Sequence, residues 1–203
     1  MEAFVHMRRI ASVGVVSLAA VFVLSACGSN TTPSAPATQS GGTAVETPPP
    51  EDNPIGDIPD TQVFVTFAAA DGSFTLSVPE GWAQTVDGTA VTFTDKLNTV
   101  RIDARPADSA PSPASVKRGE LSSVKASSGL TVEEVKRSAG DAVLATYQAA
   151  SAPNPVTGKA GTDAVERYSF WRAGQEVILT LSGPVGADNV DPWRTITDSL
   201  QWR

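Results

Sequence analysis

All four tryptophans, both tyrosines and five of the seven phenylalanines fall after residue 60 of this 203-residue chain. A packed core depends on such side chains, because aromatics bury the largest areas per residue. The folding unit is therefore expected within residues 61–203, long enough for one domain around one core. Between Gly28 and Asp60, 19 of 33 residues are Pro, Gly, Ser or Thr, none is aromatic, and every charge is acidic. Such a segment cannot bury enough apolar surface to offset its chain entropy. Residues 27–60 thus read as a disordered, Pro-stiffened tether. Its clusters Thr31-Thr32-Pro33 and Thr47-Pro48-Pro49-Pro50 are either plain spacer or acceptors of surface O-glycosylation.

Upstream, Arg8 and Arg9 precede an uncharged, mostly aliphatic run from Ile10 to Ala26 that ends in Leu24-Ser25-Ala26-Cys27-Gly28. Basic start, apolar middle and small-residue end describe a signal peptide over residues 1–26. The run has 17 residues, short of the ~20 a membrane-spanning helix needs, and Pro/Thr/Ser follow it instead of stop-transfer cations. Leu24-Ser25-Ala26-Cys27 resembles a bacterial lipobox, in which the thiol takes a diacylglycerol and becomes the new amino terminus. The resemblance implies a lipoprotein acylated at Cys27 with diacylglycerol and palmitate chains. At ~0.8 kcal/mol per buried CH₂, such chains hold a protein on a bilayer without spanning it. The expected location is extracytoplasmic, on a cell-membrane lipid anchor. Met7 is an alternative start that would leave Glu2 and His6 untranslated.

Charge and residue usage narrow the chemistry. With 15 Lys+Arg against 22 Asp+Glu, the chain lacks the clustered cations that nucleic-acid binding requires. Cleavage before Cys27 removes Glu2, Arg8, Arg9 and the single histidine, leaving 13 basic and 21 acidic side chains. A chain without histidine, its one cysteine acylated, has no Ser-His-Asp triad, Cys-His pair, His-ligated metal or thiolate site. The expectation is a protein that is not an enzyme and carries no cofactor or metal.

The domain reads as mostly antiparallel strands. Val63, Val65 and Phe67 alternate, as do Phe74, Leu76 and Val78 after Asp71-Gly72, which makes a hairpin. Val78-Pro79-Glu80-Gly81 fits a type I turn. Strands follow around Val91 and Phe93, from Thr99 to Ala104, from Thr131 to Arg137, and from Ala142 to Ala149 after a Gly140-Asp141 turn. Val165 to Arg172 and Glu176 to Leu181, joined by Ala173-Gly174, form a further hairpin. Ser112-Pro113 opens a helix to about Ser127, although Gly119 costs ~1 kcal/mol there. Asp191 is the expected cap of a terminal helix with Trp193, Ile196 and Leu200 along one stripe. Roughly eight strands and two helices give an α+β fold.

Gly72-Ser73-Phe74-Thr75-Leu76-Ser77-Val78-Pro79-Glu80-Gly81-Trp82, one mid-domain helix, two hairpins and the closing Ile196-Thr197-Asp198-Ser199-Leu200 resemble the PsbP-like superfamily, and within it the LpqN-type lipoproteins of actinobacteria. The resemblance covers residues 61–203. It implies an antiparallel β-sheet flanked by helices in an α-β-α sandwich, and non-catalytic accessory or envelope roles with no catalytic motif to carry over.

Candidate sites follow from exposed aromatics. Trp82, after the turn, either stacks a ligand at a pocket mouth or plugs the core, the latter being expected. Trp171 lies on the strand face opposite Tyr168 and Phe170; Tyr168 or Trp171, if exposed, marks a partner or ligand surface, and burial under a helix is the plainer expectation. Trp193 reads as core, and Trp202 fits either role. Glu133-Glu134 form no facing carboxylate pair, because strand neighbours point to opposite faces. Asp188-Asn189-Val190-Asp191 lacks the ligand spacing of a calcium loop. Arg101, Arg105, Lys117 and Arg118 either gather to bind anionic headgroups or sugar phosphates or stay scattered, which is the default. Residues 152–161 read as an exposed loop. The leading expectation is an accessory or scaffold for envelope protein partners; the alternative is a carrier or sensor of a small amphipathic ligand such as a lipid or glycolipid.

Overall fold

Strand alternation gives most strands one more apolar face, and the main core of the tertiary structure gathers those faces. The computed structural model describes residues 55–153 and 158–203. The expected signal peptide, Cys27, most of the tether and residues 154–157 of the expected loop lie outside the described residues. Among the described residues, ten strands form two antiparallel sheets. β1 (Phe64–Ala68), β2 (Phe74–Pro79) and β10 (Gln201–Trp202) make a small sheet in the order β1-β2-β10. β3 (Ala83–Asp87), β4 (Ala90–Asp95), β5 (Asn98–Pro106), β6 (Ala126–Arg137), β7 (Gly140–Ala150), β8 (Thr162–Arg172) and β9 (Gln175–Pro184) make a seven-stranded sheet, ordered β3-β4-β5-β9-β8-β7-β6.

One core joins the sheets. Val100 and Ile102 of β5, Val177, Leu179 and Leu181 of β9, Tyr168 and Phe170 of β8, and Ala142 and Leu144 of β7 share it with Phe74, Leu76 and Val78 of β2. Helix α2 (Val190–Asp198) adds Trp193 and Ile196, and Leu200 follows just past its end, so the expected stripe is the buried one. The opposite face carries a smaller cluster of Val116, Leu121, Val143 and Ala145 beneath α1 (Pro113–Arg118) and a 3₁₀ turn at Glu120–Ser123. The α+β, antiparallel reading holds, but helical cover is modest and the molecule is mainly β.

Several local expectations are corrected. The helix expected to Ser127 stops at Arg118, and β6 already begins at Ala126. Gly119 breaks the helix, Val124 is extended, and pairing of Ala126 and Ser128 with β7 claims the remaining residues for the sheet. The start of α1 is as read: Ser112 accepts from the Ser115 amide at 3.2 Å, and Ser115 Oγ accepts from the Ser112 amide at 2.8 Å, a reciprocal cap. The β6–β7 turn sits at Ser138-Ala139, so Gly140 opens β7 instead of turning. Strands β3 and β10 have no counterpart in the sequence reading. All five β3 residues are exposed, which erases the alternation that marks a half-buried strand.

Asn189, not Asp191, stands at the cap position of α2, and it uses its side chain elsewhere. Its Oδ1 accepts from the Ile58 amide at 2.8 Å, while its Nδ2 donates to the Gly56 carbonyl and to Asn98 Oδ1, both at 3.1 Å. Asn98 Nδ2 also donates to the Gly56 carbonyl, at 2.9 Å. Gly183 permits this knot, because a Cβ there would overlap Asn98 Oδ1 and Asn189 Nδ2. Ile58 is consequently buried, so the packed chain reaches back beyond Thr61.

Candidate functional site

An apolar cleft of about 550 Å³ opens between the β1–β2 hairpin and the β3–β4 hairpin. Phe74, Val91, Ile102 and Ala104 line it from the core face of their strands. Residues Phe67 to Asp71 form one wall; Gln84 and Val86 of β3, with Gly88 and Thr89 of the following turn, form the other. Phe67 anchors the base, its ring 5.7 Å from Phe93 in an edge-on contact and 6.4 Å from Phe74. Val86 is 66% exposed although it faces the cleft. Asp71 stands at the mouth, accepting from the Ser73 hydroxyl at 2.6 Å and the Ser73 amide at 3.0 Å. Those bonds hold its carboxyl below the usual carboxylate range.

The walls are sheet edges. Among the described residues β3 pairs only with β4, and β1 only with β2, so each presents one backbone edge that no described strand pairs. An open apolar cleft beside unpaired strands can take an apolar group and hydrogen-bond the chain that carries it.

The outer face of the large sheet holds a second feature that sequence reasoning missed. Glu120 Oε2 accepts from Arg167 Nη2 at 2.6 Å, its Oε1 pairs with Arg105, and Glu176 Oε2 accepts from Arg105 Nε at 2.9 Å. Burial pushes the Glu176 carboxyl up, Glu120 beside it adds to the rise, and Arg105 opposes it. The cluster pins the turn after α1 to β5, β8 and β9. The signal in the sequence was present but unusable, because the four residues span 71 positions and only sheet order brings them together.

The other candidates are redistributed. Tyr168 is buried, not a surface residue: its hydroxyl donates to Glu166 Oε2 at 2.8 Å and accepts from Arg137 Nη2 at 2.7 Å. Its ring lies 5.0 Å below the Arg137 guanidinium, and burial pushes its hydroxyl up to about 12. Trp171 is half-buried on the opposite face, with Nε1 donating to the Ala107 carbonyl at 2.9 Å, and lines a separate groove with Pro111, Glu134, Asp141 and Val143. Trp82 is half-buried against the main core and does not line the cleft, so the plug reading fits it better. Trp193 is core and Trp202 is half-buried, donating to the Ala139 carbonyl at 3.2 Å. The four basic residues do not gather: Arg101 pairs with Asp103 at 3.3 Å, Arg105 joins the ionic cluster, and Lys117 and Arg118 are exposed on α1. Among the described residues, no three His, Cys, Asp or Glu side chains group as metal ligands, and no helix is long and apolar enough to cross a membrane.

No family model and no curated protein sequence matches the chain. Solved structures similar to it include the Ran-binding protein Mog1p of Saccharomyces cerevisiae, at 11% identity and TM-score 0.47 over 70% of this chain and 96% of that one. They include cyanobacterial PsbP of Synechocystis, at 11% identity and TM-score 0.45 over 73% and 99%. LpqN of Mycobacterium tuberculosis, involved in cell envelope biogenesis, matches at 16% identity and TM-score 0.37 over 70% and 91%. Of a Bacteroides thetaiotaomicron crystal structure, at 16% identity and TM-score 0.47 over 68% of this chain, only 48% of the length is covered. At such scores and identities the likeness carries no functional argument, and the chain's own geometry has to supply one.

Proposed function

We propose that this chain is an extracytoplasmic accessory protein, held on a membrane through acylated Cys27, whose domain binds a cell-envelope protein partner without performing catalysis. The observation that carries the reading is the apolar cleft bordered by β3, an edge strand with every residue exposed. Val86 leaves apolar surface in water there, and covering it with a partner recovers that surface. One observation favours a second reading, carriage of a small amphipathic ligand such as a lipid or glycolipid. The cleft's apolar lining and volume of about 550 Å³ fall within the ~300–1,000 Å³ of small-molecule sites.

Photo-crosslinking in the native envelope separates the two. A photoreactive residue in place of Val86 is expected to capture a discrete protein, whereas the same residue in place of Lys136, on the opposite edge of the sheet, captures none. A lipid adduct at position 86 would support the carrier reading, and a bare position 86 would remove both. The anchor has its own check: Cys27→Ser is expected to leave an unlipidated precursor and release the protein from membrane extracts.

A further inference from the structure

Resting on the partner-binding reading, we infer that the partner presents an extended apolar segment flanked by basic residues, which adds to the free edge of β3 as an eighth strand and sets alternate side chains into the cleft. The first support is a contrast between the two edges of the seven-stranded sheet. β6 is guarded by two register shifts and by Glu133, Glu134, Lys136 and Arg137. Bulges and charges of this kind keep an edge from pairing with another chain. β3, Ala83-Gln84-Thr85-Val86-Asp87, pairs with β4 in unbroken register, has no proline or lysine, and carries its single charge at the last residue. The edge bordering the cleft is the bare one.

The second support is geometric. Gln84 and Val86 line the cleft, so Ala83, Thr85 and Asp87 point to the other face. A strand added at the usual spacing of ~4.8 Å therefore places every second side chain beside Val86 and over Phe67. That arrangement reads an alternating apolar pattern and would accept no row of charges on the cleft side.

The third support is charge. From Ile55 to Asp95 the chain has six acidic residues and no Lys or Arg. Asp71 is at the cleft mouth, Asp87 ends β3, and Glu80 precedes it. Lys96, the first cation after Ile55, sits in the β4–β5 turn at the Glu80 end of the hairpin, where Asp95 pairs with it at 3.8 Å, and leaves Asp71 and Asp87 uncompensated at the other end. A second copy pairing through β3 would press two all-acidic hairpins together, and an anionic lipid headgroup would meet the same repulsion. A segment with Lys or Arg flanking its apolar core is the complementary occupant.

The test uses the full chain in phosphatidylcholine vesicles and a fluorescent peptide of alternating Val and Thr with two Lys at each end. Expected are saturable binding, weakened several-fold by high salt, and slowed hydrogen exchange at the Ala83–Asp87 amides. Val86→Lys, at an exposed position, is expected to weaken binding roughly tenfold. Glu80→Lys with Asp87→Lys is expected to shift preference to a Glu-flanked peptide, a gain that misfolding cannot mimic. Absence of binding, binding without slowed exchange on β3, equal binding of Lys- and Glu-flanked peptides by the unmodified protein, or indifference to Val86→Lys overturns strand addition. Any of these can coexist with a protein crosslinked at position 86, whereas loss of that crosslink is the failure of the partner reading itself.

Discussion

The two faces of the seven-stranded sheet are built from the same strands and are held by different forces. On the inner face Val177, Leu179 and Leu181 are fully buried, and Tyr168 and Phe170 stack with ring centroids 6.1 Å apart. On the outer face the same strands present Glu176, Thr180 and Arg167, and the cover is a six-residue helix with a 3₁₀ turn. Apolar burial is non-directional and scales with area, so the inner face can hold a second sheet. The outer cover is too short to bury much, and an ionic cluster fixes it at named points. The larger apolar core therefore lies in the inner layer, and the cleft opens beside it.

Substitutions on each face put that contrast at risk. Phe170→Ala, in the inner core, is expected to cost about 3–5 kcal/mol in denaturant unfolding, through lost burial and a cavity. Glu120→Ala is expected to cost less, about 1–3 kcal/mol, because it removes the carboxylate partner of Arg167, which keeps its bond to Thr180, and leaves Arg105 and Glu176 a single pair; the half-exposed Arg105 limits the loss. If Glu120→Ala proved as costly as Phe170→Ala, the outer layer would be structural on the same scale as the core. Ser112→Ala is expected to cost about 1 kcal/mol by removing the cap of α1, with faster hydrogen exchange confined to the α1 region as its signature.

The smallest effect concerns pH. Burial pushes the Asp163 carboxyl above its ordinary range. Its folded pKa then exceeds the unfolded one, so the folded state holds the proton more tightly. The stability it contributes is complete below the unfolded pKa and is lost as pH rises through the folded value. Asp163→Asn is therefore expected to raise Tm slightly at neutral pH and to leave it unchanged in acid below the carboxylate range. A uniform shift across pH would assign the effect to packing.

Legibility differed by region. The hairpins β1–β2 and β8–β9 were readable because each alternates around a turn signal; Ala173 and Gly174 both adopt positive φ, as a two-residue turn demands. The α2 stripe was readable because three apolar residues at helical spacing all reach the core. β3 was not, since an edge strand with both faces wet has no pattern to display. The cleft escaped notice for a related reason: its lining comes from β1, β2, β3, β4 and β5, and sequence order does not state how far two hairpins stand apart. Tyr168 drew notice as an aromatic on a strand, but Arg137, 31 residues away, decides that its hydroxyl is buried and bonded.

The amino-acid sequence by itself determined the antiparallel β-rich class and the acidic, base-free stretch from Ile55 to Asp95, because periodicity, composition and charge are properties of neighbours along the chain. Tertiary structure alone decided which edges stay unpaired, where the two sheets leave a cleft, and which arginine meets which glutamate. Those outcomes depend on strand order and on distances between segments far apart in sequence, and no local pattern encodes them.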